Sequence, residues 1–179
     1  KGAFSDVAAP DLGAVAIKAA MDEAKVAPET VEQVVMGCVL PAGQGQAPAR
    51  QAALGADLPK EAEAVTVNKM CGSGMQAAIM AHDTIKAGSA DIIVAGGMEN
   101  MTRAPYLLPD ARNGMRMGDK SVVDSMMHDG LTDAYDGSAM GVFADMIAAE
   151  YQFSREQQDA YAVESIRRAQ QAQETGKFD

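Results

Sequence analysis

Three short apolar runs, spaced by stretches of helical periodicity, constrain the fold of this chain more than any other feature. The runs are Val31 to Leu40, Ala64 to Asn68 and Asp91 to Ala95, and their valine and isoleucine content suits buried strands. The last is uninterrupted by polar residues after Asp91 and is closed by Gly96 and Gly97, as expected of a strand covered on both faces. Helices are expected at Pro10 to Lys25, Ala47 to Leu54 and Gly74 to Ala87. Strands alternating with helices imply an α/β sheet with helices on both sides.

Within the first helix, Asp11 favours the N-terminal dipole and Leu12, Val15, Ala16, Ala19 and Ala20 form the expected core stripe. The third helix repeats apolar residues at Met75, Ala78, Ile79 and Ile85 and stops at Gly88. From Thr102 to Asp119 the chain turns rich in glycine, methionine and arginine without periodicity, which marks a separate excursion. Helices are expected again at Met140 to Tyr151 and from Ser154 to Gly176, the latter opened by a capping box of Ser154 and Gln157.

The chemistry concentrates at Asn68-Lys69-Met70-Cys71-Gly72-Ser73-Gly74, the turn from the second strand into the third helix. Glycines on either side of the serine let backbone and substrate approach closely, and the unpaired N–H groups of a first helical turn favour a thiolate and a nearby oxyanion. Residues alone leave Cys71 evenly poised between an acyl-accepting nucleophile and a structural thiol. Cys38, inside a strand run, reads as structural.

Asn68 to Met75, the segment Ala95-Gly96-Gly97-Met98-Glu99-Asn100-Met101-Thr102-Arg103, the run Met36 to Gln46, and Asp129 to Ala134 together closely resemble the thiolases, in the biosynthetic acetyl-CoA acetyltransferase branch. The resemblance covers nearly the whole chain. It implies a thiolase-like N-terminal α/β half, with a mixed sheet covered by helices on both faces, over 1–101 and lacking its first strand. An inserted, largely helical loop domain would begin at 102–179, and a C-terminal half would be absent. It further implies condensation of two acetyl-CoA to acetoacetyl-CoA, or the reverse thiolysis, through a thioester on Cys71. Coenzyme A and acyl-CoA are the implied substrates, with no tightly bound cofactor and no metal, in a homodimer or homotetramer.

By the same resemblance, Leu131 and Met140 match positions lining the pantetheine and acyl end of the pocket, although plain core packing accounts for each nearly as well. Asn68, Gly72, Gly74, Glu99 and Asn100 would support the site. Two departures stand out: Ala139 replaces a histidine common at a pantetheine contact, and Ala47 replaces an asparagine common before Pro48. The family's Gly-His-Pro and Cys-x-Gly motifs, which supply a base and a second cysteine, do not occur here, so this stretch alone is expected to be inactive. Longer-chain 3-ketoacyl-CoA thiolysis and non-catalytic acyl-CoA binding remain alternatives within that resemblance.

The two histidines do not replace the missing base. His82 lies eleven residues beyond Cys71, a rise of about 16 Å along a helix against the roughly 3 Å reach of a general base. It shares the apolar stripe with Ile79 and Ile85 and is expected to be packed and hydrogen-bonded at a domain or subunit contact, whereas His128 is expected to face solvent. A formal charge of −10 and the absence of a basic stripe argue against nucleic acid as a partner. Arg103, Arg112, Arg116 and Lys120 form a basic segment read as solvated surface or a subunit-contact segment sooner than a coenzyme A attractor. Two cysteines with no CxxC spacing speak against a disulfide framework or zinc site. No run approaches the ~18 apolar residues of a membrane helix, so no membrane partner and a cytoplasmic location are expected.

Overall fold

The computed structural model describes residues 2–177, which form two compact units, one ending at Leu131 and the other running from Thr132. In the first unit, helix α1 (Ala9–Ala24) precedes strand β1 (Gln33–Gly37), helix α2 (Pro48–Gly55), strand β2 (Glu63–Val67), helix α3 (Ser73–Lys86) and strand β3 (Ile93–Gly97). The strands pair in the order β2-β1-β3, with Gln33 opposite both Glu63 and Ile93. Where a mixed sheet is expected, all three strands run parallel, because each is joined to the next through a crossing segment that contains a helix. A separate two-stranded antiparallel pair, β4 (Tyr106–Leu107) and β5 (Val123–Asp124), follows later in the chain.

Central strand β1 decides which helix covers which face. Val34, Met36 and Cys38 alternate onto one side, where they join Ala49, Ala52 and Ala53 of α2 and Ile17 and Met21 of α1 in a single apolar core. Val35, also buried, and Gly37 belong to the other side, where α3 lies. Helices thus cover both faces, as the alternation requires.

Two expected stripes sit on the wrong side of their helices. In α1 the buried residues are Ala9, Pro10, Gly13, Ala14, Ile17 and Met21, while Val15, Ala16, Ala19 and Ala20 face outward. Alanine fits either face, so Ile17 and Met21 and the close contact at Gly13 decide the rotation: a Cβ on Gly13 would lie 2.8 Å from Met98 Sδ. In α3 the buried residues are Ser73, Ala77 and Ala81, and Met75, Ile79 and Ile85 are exposed. Small residues win that face because α3 lies directly on sheet backbone. His82 follows the outward stripe, exposed and hydrogen-bonded to Asp83 at 3.1 Å.

The segment 98–131 stays with the first unit and closes with a wide helical turn, Met126–Leu131, in which His128 is exposed as expected. The second unit holds α4 (Met140–Glu150) and α5 (Arg155–Glu174). Helix α5 begins with the expected reciprocal cap: Gln157 N–H donates to Ser154 Oγ and Ser154 N–H to Gln157 Oε1. Among the described residues no helix is long and apolar enough to cross a membrane.

Candidate active site

Parallel strands deliver their C-terminal ends to one edge of the sheet, and three loops meet there. After β2 the chain makes a tight elbow. Met70 takes the left-handed conformation at φ 48°, which a side chain tolerates only when its surroundings hold it. The hydroxyl of Ser73 provides that hold, accepting from Lys69 N–H at 2.9 Å and donating to Met70 C=O at 2.5 Å. Ser73 is buried, and Gly72 and Ser73 N–H close the turn onto Lys69 and Met70 carbonyls.

Cys71 stands between Met70 and the helix cap Gly72, exposed and not disulfide-bonded. Among the described residues its own N–H donates to no other group, leaving a donor beside the sulfur. The elbow glycines are less constrained than expected: Gly72 has φ −87°, and a Cβ on Gly74 would come no closer than 3.9 Å to Gly96 C=O. The demanding glycine is Gly37 at the end of β1, where a Cβ would meet Gly74 N at 2.7 Å. Its signal in the sequence is a lone glycine that follows Val34, Val35 and Met36 at the end of the strand.

A shallow cavity of about 350 Å³ opens over the thiol, lined by Gly37 and Val39 at the end of β1 and just beyond it, Met70, Cys71, Ser73 and Gly74 at the elbow, and Gly97, Met98 and Glu99 at the end of β3 and just beyond it. Among the described residues Glu99 makes its hydrogen bonds to the segment after β1 and none to the elbow. Its carboxylate accepts from Val39 N–H at 2.7 Å and Leu40 N–H at 3.1 Å, and faces Cys38 Sγ at 3.6 Å. Burial, then the negative Glu99 beside it, pushes the Cys38 thiol from 9.0 up to about 11, so it stays protonated near neutrality.

Asn68 works from the other side, donating to Val39 C=O at 3.3 Å and accepting from Met70 N–H at 3.0 Å. Asn100 turns away from the cavity: its amide donates to Phe4 and Val7 carbonyls, both at 2.8 Å, and so fastens the start of the chain to the loop after β3. Leu131 is half-buried at the end of the first unit and is not among the residues lining the cavity; Met140 is exposed at the start of α4 in the second unit. A larger hollow of about 630 Å³ lies at the opposite end of the strands, but Glu29, Glu32, Glu61 and Glu63 line it and would repel an anionic substrate.

An exposed thiol at a strand-to-helix elbow, inside a cavity on the C-terminal edge of a parallel sheet, defines an α/β protein with a candidate cysteine nucleophile. The chain belongs to the thiolase family: the family model "Thiolase, N-terminal domain" matches residues 1–179. It is 53% identical over 178 residues to an acetyl-CoA acetyltransferase of Cupriavidus necator, covering 99% of this chain and 45% of that protein. An acetyl-CoA acetyltransferase of Chromobacterium violaceum is 49% identical over 177 residues, with the same coverage of 99% and 45%. A probable acetyl-CoA acyltransferase of Staphylococcus aureus is 48% identical over 178 residues, again across 99% of this chain and 45% of its own length. The chain thus spans about half the length of these curated relatives.

Proposed function

We propose that the whole protein is an acetyl-CoA C-acetyltransferase in which Cys71 carries the acyl group. The observation that carries this reading is the exposed Cys71 thiol in the cavity where the three strand ends meet. Its thiolate attacks the thioester carbonyl of acetyl-CoA, the carbonyl π electrons move onto oxygen, and collapse of that oxyanion expels the CoA thiolate, leaving acetyl-Cys71. The Cys71 N–H is a donor for the oxyanion. Carbon–carbon bond formation follows when the enolate of a second acetyl-CoA attacks acetyl-Cys71 and releases the cysteine thiolate.

The cysteine of a Cys-x-Gly motif removes the proton that makes the enolate, and the histidine of a Gly-His-Pro motif is the general base for Cys71; neither motif lies in these residues. Leu131 and Met140 line the pantetheine and acyl end, with Ala139 contributing no imidazole there. Residues 1–101 act as the α/β domain and 102–179 as the beginning of an inserted, largely helical loop domain. The working assembly is a cytoplasmic homodimer or homotetramer taking coenzyme A thioesters, without a bound cofactor or metal.

The test is acid quenching of the full-length protein after mixing with acetyl-CoA, followed by peptide mass analysis. Acetyl on Cys71, and protection of Cys71 from iodoacetamide by acetyl-CoA, are the expected results. Acetyl-CoA turnover that survives Cys71→Ala would end the proposal. Relative turnover of acetoacetyl-CoA and longer 3-ketoacyl-CoA substrates separates this reading from a long-chain thiolase.

A further inference from the structure

We infer that Glu99 is a positioning residue for the acyl-transfer step, acting on Cys71 through the backbone of Val39 and the side chain of Asn68; this rests on the reading of Cys71 as nucleophile. Val39 is held at both of its peptide groups. Its N–H donates to Glu99 at 2.7 Å and its C=O accepts from Asn68 at 3.3 Å. Asn68 in turn accepts from Met70 N–H at 3.0 Å, the residue in left-handed conformation immediately before Cys71.

The three loops around the cavity are therefore coupled in one line: Glu99 after β3, Val39 after β1, and Asn68 with Met70 after β2. Val39 and Glu99 also line the cavity that Cys71 faces. A carboxylate suits the position because both oxygens meet donors: Val39 N–H on one, Leu40 N–H and the Cys38 thiol on the other. Glutamine would present an NH₂ to one of those donors. The consequence is a shifted cavity wall and a loosened elbow, with the thiol still present.

The experiment uses the full-length protein and compares Glu99→Gln, Glu99→Asp, Asn68→Ala and the Glu99→Gln/Asn68→Ala double variant in acetyl-CoA condensation. Misplacement of the nucleophile lowers kcat by about tenfold or more in Glu99→Gln while KM for acetyl-CoA stays within about twofold. Glu99→Asp, which keeps the acceptor charge, recovers part of the loss. Because both residues act through Val39, the double variant falls little below the weaker single one.

Wild-type kcat in Glu99→Gln, an aspartate no better than glutamine, or losses that multiply in the double variant would each overturn the inference. Should Glu99→Gln fail to fold, Asn68→Ala alone must lower kcat with KM held, and an unchanged kcat overturns it. Acetyl-Cys71 formation in the wild type keeps the two readings apart. If Cys71 acetylates and these variants behave as wild type, only the role of Glu99 is lost.

Discussion

A Cβ placed on Gly37 would lie 2.8 Å from the Cβ of Ser73, so β1 and the first turn of α3 meet where there is room for hydrogen alone. Backbone atoms of Ser73 and Gly74 stand closer still, at 2.7 Å, so no side-chain rotation relieves the clash. Gly37→Ala must push α3 off the sheet, costing about 1–3 kcal/mol. Urea denaturation of the full-length protein is expected to show a lower midpoint, together with slower alkylation of the displaced Cys71. Wild-type values for both would mean the helix does not approach this closely.

Ser73 is expected to matter for stability as well as for the elbow. Ser73→Ala removes the acceptor for Lys69 N–H and the donor to Met70 C=O at a buried position, a loss of about 1–3 kcal/mol. The left-handed Met70 then loses its brace. Thermal denaturation checks the first effect and the rate of Cys71 acetylation the second; a variant as stable as wild type would show that the hydroxyl is dispensable.

The Cys38 thiol, held up at about 11 by burial and by Glu99, predicts a pH dependence opposite to that of a salt-bridged carboxylate. The folded chain keeps this proton more tightly than the unfolded one. Its stabilising contribution is therefore complete below 9.0 and is lost as pH rises through about 11. Cys38→Ala should flatten the fall in stability across that interval, measured by denaturant midpoint. In the folded wild type at pH 8, iodoacetamide should label Cys71 and spare Cys38, and equal labelling would contradict the burial of Cys38.

Element type was legible in the sequence because the periods of strand and helix differ, and the capping box at Ser154 announces its helix by side chains alone. Helix faces were not. Hydropathy favours Met75, Ile79 and Ile85 as the core side of α3, yet contact with sheet backbone selects the small Ser73, Ala77 and Ala81. Glu99 and Asn68 were recognisable as residues beside the cysteine turn. Their shared partner was not, because a backbone N–H and C=O at Val39 carry no side-chain signature. Asn100, adjacent in sequence to Glu99, serves the N-terminal turn instead.

Ala47 offers a substitution expected to stabilise the chain. It caps α2 with φ 46° and ψ 68°, a left-handed conformation that costs an alanine roughly 1 kcal/mol and an asparagine less. The ordinary benefit of a capping side chain is already partly supplied, because Thr66 Oγ1 accepts from Ala49 N–H at 3.0 Å. Any gain from Ala47→Asn should therefore come mainly from backbone conformation, at about 0.5–1 kcal/mol, below the upper range for a new cap. Ala47→Gly provides the control, since glycine accepts the same dihedral without offering a hydrogen bond. Denaturant midpoints that rise in both variants would assign the effect to the left-handed backbone. A rise with asparagine alone would assign it to a side-chain cap, and no rise in either would show that the elements around Pro48 already offset the strain at Ala47.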